Sequence, residues 1–546
     1  VDEVGDALRG TSLLIVGAVA GRASNELPCD VLSGGFGVDL AGDAQAGDRQ
    51  IQEPVRDVVA LHVRILRSSG CRSGQSRRGY WNTPRRIEGH VRTPNAHFVG
   101  ERPPPTLIPM DTWGCARYPG GTMDVSTKSR PAPRLQLAER HQIVFRAASL
   151  DLLVSQDHPV RAVWEYVEQA NLTSLYEAIR AVEGAPGRPP IDPKILLALW
   201  LYATLDGVGS ARELDRLTRE HQVYQWLCGD VSVNYHTLSD FRVEHPELLE
   251  RLLISGVAAL TSQELVTMKR VAQDGVRVRA AAGAASFHRK KTLGDHLQEA
   301  QAQLSALASE LQEDSQASSK RQKAAQDRAA RDRADRIAEA LRQLEQVQQS
   351  KSKDEEKAKS RTSETDPDAR VMKMADGGFR PAFNVQFATD VETQIIVGVR
   401  VTNIGGDAGQ MPPMVKQLHE DYGHAPPEML VDGGFSMNKA IDAVAAAPYD
   451  CTVYGPVQKP KDPTRDPHLA RDDDSPVVAA WRVRMGTEAA KAIYKLRAQT
   501  AECVNAIARN RGLTQFRVRG LRKTKAIALW FALAHNTIRS LALRPA

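Results

Sequence analysis

Two hydrophobic periods divide the chain from about residue 135 onward. Through 262 the apolar positions recur at helical spacing, as in "DHPVRAVWEYVEQANLTSLYEAI". Asp192 and Pro193 read as the N-cap and first residue of a helix over 193–205, and Gly207 closes it. Its stretch "ILLALWLYATL" is apolar all round, which suits a buried core helix; it is about half the roughly 20 residues a bilayer span needs. Ser210 with Glu213 forms a capping box, and Thr237 with Asp240 suggests a second before a short helix that stops at Pro246. This outline fits a helix-turn-helix DNA reader and an ordinary small helical bundle equally well.

The period then changes. "LVTMKRVAQD" (265–274) predicts a strand ending at Asp274-Gly275. Leu293, Leu297, Ala300, Leu304, Leu307 and Leu311 follow at alternating four and three, and Ala330, Ala334, Ile337, Leu341 and Leu344 repeat the pattern. Polar "DSQASSKRQ" between them predicts a turn, hence an antiparallel coiled-coil hairpin inserted at about 288–366, with "KSKDEEKAKSRTSETD" as its solvated, flexible exit. Strands resume at 382–390 and 395–402 as a hairpin. A helix over 411–422, a strand ending at Asp432, a helix over 437–447 and a strand over 451–456 follow. Pro- and Asp-rich sequence then precedes helices from near Val477. The fold class is a mixed α/β sheet with one long helical excursion after its first strand, behind an all-α region.

Residues 1–134 share neither period. They are rich in Gly, Arg and Pro, which predicts a low-order leader or a translation start further on, for example at Met123. "TSLLIVGAVAG" (11–21) resembles a secretory core, but the residues before it are acidic rather than basic, so export is not expected. The net charge of +6 hints at a polyanionic partner without requiring one. Six cysteines with no C-x-x-C pair argue against a disulfide scaffold or a cysteine zinc site and fit a reducing cytoplasm.

Candidate chemistry lies in the acids at the strand ends. In "PEMLVDGGFS" the apolar run stops on Asp432 before two glycines, a position that suits a metal ligand or a turn cap. Asp274 repeats the pattern, and a third acid is expected from a helix packed across that sheet edge. On the helix from about Glu488 to Arg509, Tyr494, Arg497, Glu502, Asn505 and Arg509 share an arc of roughly 140° at about 100° per residue. Converging carboxylates repel unless protonated or bridged by a cation. Hard divalent ions answer that need, and two ions about 4 Å apart suit phosphodiester chemistry.

The segments "RVAQDGVRVRAAAGAASFHRKKTL", "MADGGFRPAFNVQFATD", "VTNIGGDAGQMP", "LVDGGFS", "RMGTEAAKAIYKLRAQTAECVNAIARNRGL" and "ALAHN" resemble bacterial insertion-sequence transposases of the DDE class, with their ribonuclease H-like catalytic domain. Upstream "GRPPIDPKILLALWLYATLDGVGSARELDRL" is similar to the helical N-terminal domain of the same proteins. The resemblance implies domains at 135–262 (helical, DNA-binding), 263–512 (catalytic) and 513–546 (basic segment and closing helix). It implies Asp274, Asp432 and Glu502 as catalytic, metal-binding acids, with Tyr494 and Arg497 in the helix signature. The usual signature places Glu four positions after Arg and ends on Lys; here Glu502 comes at five and Arg509 stands near the Lys position, leaving Glu488 as a weaker third acid.

Asp376 and Asp407 are possible accessory ligands, although a turn and a helix cap are the simpler roles. Arg509, Arg511, Arg517, Arg519, Arg522, Lys523 and Lys525 form a basic run suited to phosphate contact or to a solvated face. The histidines show no metal-ligand spacing. The expected function is a transposase that cuts double-stranded DNA at the element's terminal inverted repeats and transfers the 3′-hydroxyl to target DNA. It would use two Mg²⁺ ions, with Mn²⁺ as a substitute, and self-associate on DNA without a membrane. The alternatives are a non-catalytic DNA-binding scaffold and a nuclease without strand transfer.

Overall fold

The computed structural model describes residues 149–181, 189–313, 317–460 and 464–543. The leader expected over 1–134 lies outside them, as does part of the turn expected at 314–322. The helical region comprises α1 (Pro159–Gln169), α2 (Thr173–Glu177), α3 (Pro193–Leu205), α4 (Ala211–Glu220), α5 (Gln222–Cys228), α6 (Tyr235–Glu244) and α7 (Pro246–Ser262). Asp192 caps α3 by accepting from the Lys194 N–H at 2.9 Å, and Gly207 follows at φ +75°, where L side chains are strained. Ser210 caps α4 as expected. For α6 the expectation differs: Asn234, not Thr237, is the cap, accepting from the His236 and Thr237 N–H groups. Pro246 opens α7 rather than merely ending α6.

Next come β1 (Arg270–Arg279), β2 (Phe287–His288), α8 (Lys290–Glu313), α9 (Ala317–Gln349), α10 (Asp354–Ala358), β3 (Thr362–Ser363), β4 (Arg370–Lys373), β5 (Phe379–Asp390) and β6 (Ile396–Thr402). Then follow α11 (Met411–Tyr422), β7 (Glu428–Val431), α12 (Asn438–Ala445), β8 (Thr452–Tyr454), α13 (Pro476–Gly486) and α14 (Glu488–Arg497). A π turn at Ala498–Glu502, α15 (Cys503–Asn510) and α16 (Leu521–Leu543) complete the chain.

The main sheet is mixed, in the order β4-β5-β1-β7-β8, with β6 also paired to β5. β5 is antiparallel to β1, β4 and β6, whereas β1, β7 and β8 run parallel. β1 departs from the expectation: it does not end at Asp274 but runs to Arg279, because the period-two pattern of buried Val276 and Val278 continues past Gly275. A Cβ on Gly275 would stand 2.8 Å from Asn384 Oδ1 and nearer still to Gln386 and Asp407, so the glycine admits these side chains rather than a turn.

Between β1 and β5 the helices α8 and α9 close on Leu293, Ala300, Ala334, Ile337, Ala340 and Leu344, positions that largely follow the heptad pattern. The expected loose exit is instead held: Thr362, Ser363 and Asp366 are buried, and β3 pairs with β2 at the foot of the hairpin. α16 lies against α3, α6, α7 and β6, so the helical region and the β1-β5-β6 side of the sheet share one core. There Asn536 accepts from the Ile396 N–H at 2.9 Å and donates to its carbonyl at 2.8 Å, supplying β6 with a side-chain partner along its edge. Among the described residues no helix is long and apolar enough to cross a membrane.

Candidate active site

β1 and β7 run parallel until Gln273 faces Val431. The next residues are Asp274, within β1, and Asp432, just past the end of β7, so the two acids stand side by side at one level. Each is anchored by the backbone after it: the Gly275 N–H donates to Asp274 Oδ1 at 2.9 Å, and the Gly433 N–H donates to Asp432 Oδ1. Asp274 is largely enclosed, with 18% of its side chain exposed, whereas Asp432 keeps 57% in solvent.

Arg497, at the end of α14, is 7% exposed and reaches both. Its Nη2 lies 3.2 Å from Asp274 Oδ1 and 3.8 Å from Asp432 Oδ2, while Nη1 donates to Glu502 Oε1 at 2.8 Å. Asn505, one turn further on, donates to Asp274 Oδ2 at 3.0 Å. The structure thus brings Asp274, Asp432 and Glu502 around one guanidinium. The additional residue between Arg497 and Glu502 coincides with the π turn, whose wider winding accommodates one residue more than an α turn. Two side chains take up carbonyls there: Thr500 Oγ1 donates to Leu496 O at 2.7 Å, and Gln394 Nε2 donates to Gln499 O at 2.8 Å.

Burial pushes the Asp274 carboxyl above its usual range; Arg497, the Gly275 N–H and Asn505 work against this, and the charge of Asp407 adds to it. Burial pulls Arg497 down, but Asp274, Tyr494, Asp432 and Glu502 together hold it above the ordinary arginine value. Tyr494 is raised, chiefly by burial. Three carboxylates face one guanidinium, and their donors are hard oxygens. That excess of negative charge suits a divalent cation, although the three carboxylates do not yet lie within 4.8 Å of one another and would draw together around an ion.

The other acids are placed differently. Asp376 is an exposed turn residue that accepts from the Gly378 N–H and pairs with Arg380 at 2.8 Å. Glu488 sits in the first turn of α14 and pairs with Lys491. Asp407 does not use its side chain to cap α11: it accepts from Asn384 at 2.8 Å, Gln386 at 2.9 Å and Arg277 at 3.2 Å. This network packs behind Gly275 and against Gly434, so Asp407 supports both Asp-Gly segments.

Within the basic run, Arg509, Arg519 and Lys523 are exposed. Arg522 instead pairs with Glu247 at 2.9 Å and Lys525 with Glu250 at 2.7 Å, tying α16 to α7. Arg511 and Arg517 of the same run join two arginines that sequence reading did not connect with them. A cavity of about 740 Å³ is lined by Arg242, Arg279, Arg511 and Arg517 together with the 207–209 and 281–283 segments, and no carboxylate lines it. Burial, and then the charge of Arg517, pushes Arg242 down to about 10. No local signal joins Arg242 of α6 and Arg279 of β1 to the two arginines after α15.

Two family models match the chain: a transposase domain (DUF772) over residues 148–244 and a transposase DDE domain over 451–541. The second takes in Tyr494, Arg497 and Glu502 and begins after Asp274 and Asp432. No curated protein and no solved structure matches.

Proposed function

We propose that this chain, marked by its two domain matches as an insertion-sequence transposase of the DDE class, cuts DNA at the ends of its element and joins the freed 3′-hydroxyl to target DNA. The observation that carries the reading is the approach of Arg497 to Asp274, Asp432 and Glu502, from β1, the end of β7 and the π turn. In the main sheet the antiparallel β5, paired to β4 and β6, adjoins parallel β1, β7 and β8, which supports a ribonuclease H-like catalytic domain. The α8–α9 pair, packed along its apolar stripe, supports a coiled-coil arm inserted after β1.

Asp274, Asp432 and Glu502 would hold two divalent cations, Mg²⁺ in this reading, which when bound activate the attacking oxygen and stabilise the leaving one. Asp274 is fixed by Asn505 and the Gly275 N–H, so its carboxylate is oriented before substrate arrives. Arg497 balances part of the acids' charge and holds Glu502 toward the strand ends. Cleavage and strand transfer are the same in-line displacement with water or a 3′-hydroxyl as nucleophile, so one acid set serves both. The arginine-lined cavity offers charge for the phosphate backbone.

The test is cleavage of duplex DNA carrying the sequences that flank the coding region, with and without Mg²⁺. Wild type should give nicked and joined products. Asp274→Asn, Asp432→Asn and Glu502→Gln should each lower cleavage by about 10²-fold or more while DNA binding persists. Cleavage without joined products would make the protein a nuclease; a wild type that binds but never cuts would make it a scaffold.

A further inference from the structure

Among the described residues, one group of His, Cys, Asp and Glu side chains brings three ligand atoms within 4.8 Å of one another: His288, His296 and Glu364. It lies at the foot of the helical hairpin. His288 ends β2, His296 sits in the second turn of α8, and Glu364 follows β3. Glu364 stands between the rings, with Oε2 2.8 Å from His296 Nδ1 and Oε1 3.8 Å from His288 Nε2. The rings meet edge to face, their centroids 5.1 Å apart. The backbone is set from both sides: β2 pairs with β3, the Glu364 N–H donates to Ser286 O at 3.0 Å, and Ser286 and Ser363 share a hydrogen bond of 2.7 Å.

The geometry points to a Zn²⁺ site here, with two imidazoles and one carboxylate as protein ligands and a fourth position open to solvent. Ligands 2.0–2.1 Å from a tetrahedral Zn²⁺ are separated by about 3.3 Å. With one atom from each residue the three donors lie within 4.8 Å of one another, and His296 and Glu364 already meet at 2.8 Å, so the side chains would draw together to reach that spacing. The half-buried position leaves room for the solvent ligand. Imidazole donors select Zn²⁺ and its transition-metal neighbours over Mg²⁺, which separates this site chemically from the all-oxygen acids. The site joins both ends of the long excursion, so an ion there would clamp the base of the arm by linking residues 288 and 296 to 364. This inference does not rest on the proposed transposition chemistry.

Zn²⁺ titration of chelator-treated full-length protein in excess Mg²⁺, followed by calorimetry and by the visible absorption of Co²⁺ in its place, tests the assignment. Wild type should take up one equivalent, show the intense bands of a low-symmetry Co²⁺ complex, and unfold at a higher temperature with Zn²⁺. His288→Ala/His296→Ala should weaken binding at least about tenfold and abolish the thermal shift, while Asp274→Asn keeps both. His296→Gln, which retains a polar side chain, guards against a folding defect: it should keep the wild-type unfolding temperature without Zn²⁺ yet lose the Co²⁺ bands. Absence of uptake by wild type, uptake unchanged in the double variant, or loss in Asp274→Asn would overturn the site.

Discussion

Arg497 Nη1 and Glu502 Oε1 lie 2.8 Å apart although five positions separate the residues along a helix. The π turn makes that approach compatible with Arg497 facing Asp274 and Asp432, and the turn's retention depends on side chains that take up its carbonyls. Thr500→Val removes the hydroxyl bound to Leu496 O at a fully buried position. It should cost about 1 kcal/mol in urea unfolding. Gln394→Ala acts on the exposed side of the same turn and should cost less.

Asp274, proposed as a metal-binding acid, is a cost to stability when ionised. Its pKa is raised in the fold, so ionising it favours the unfolded chain. The cost is absent below the unfolded carboxylate pKa and complete once pH exceeds the folded value. Asp274→Asn should therefore raise the urea midpoint of the metal-free protein near neutral pH, with the gain vanishing in acid. An equal gain at all pH values would refute this origin. Asn505→Ala removes a hydrogen bond that lowers the same pKa, so the acid limb of the cleavage profile should move to higher pH.

His535 is expected to make the fold acid-sensitive. Burial depresses its pKa from 6.5 to about 4, while its Nε2 lies 2.8 Å from Gln394 O. The folded chain thus prefers the neutral ring. Its stabilising contribution is full above pH 6.5 and is lost as pH falls toward 4. At about 1.4 kcal/mol for each tenfold change in proton affinity, this amounts to about 3 kcal/mol. His535→Gln should flatten the stability profile between those limits, as read by urea unfolding at successive pH values.

The Asn536 clamp on β6 predicts a larger local effect. Asn536→Ala leaves the Ile396 N–H and carbonyl without their side-chain partner. The expected cost is about 2 to 4 kcal/mol, with faster amide exchange at Ile396. Preserved protection there would show that another group replaces the clamp.

DNA affinity against salt separates the basic residues. Arg517→Ala, on the rim of the arginine-lined cavity, should reduce the slope of log affinity on log salt by about 0.9. Lys525→Ala breaks a half-buried pair with Glu250 and should leave the slope unchanged while costing about 1 kcal/mol of stability. Equal slope changes for both would place α16 at the DNA.

Much of the framework is local and was therefore legible. The helix at 411–422 and the β5-β6 hairpin follow from periods of 3.6 and 2 that neighbouring residues impose on one another, and Asp192-Pro193 carries its own cap chemistry. The acids and Arg497 stood out as candidates by position, but the 3.6-residue period did not foresee the π turn on which the Arg497–Glu502 contact depends. Tertiary structure decided what depends on distant chain segments. The pairing of β1 with β5 carries that strand past Asp274, and the fold sends Asp407 behind Gly275 rather than onto a helix end. It also commits Arg522 and Lys525 to α7 and brings His288 and His296 to Glu364. Residue spacing sets direction along one element, whereas a charge partner or a shared ligand is fixed only when separate elements pack together.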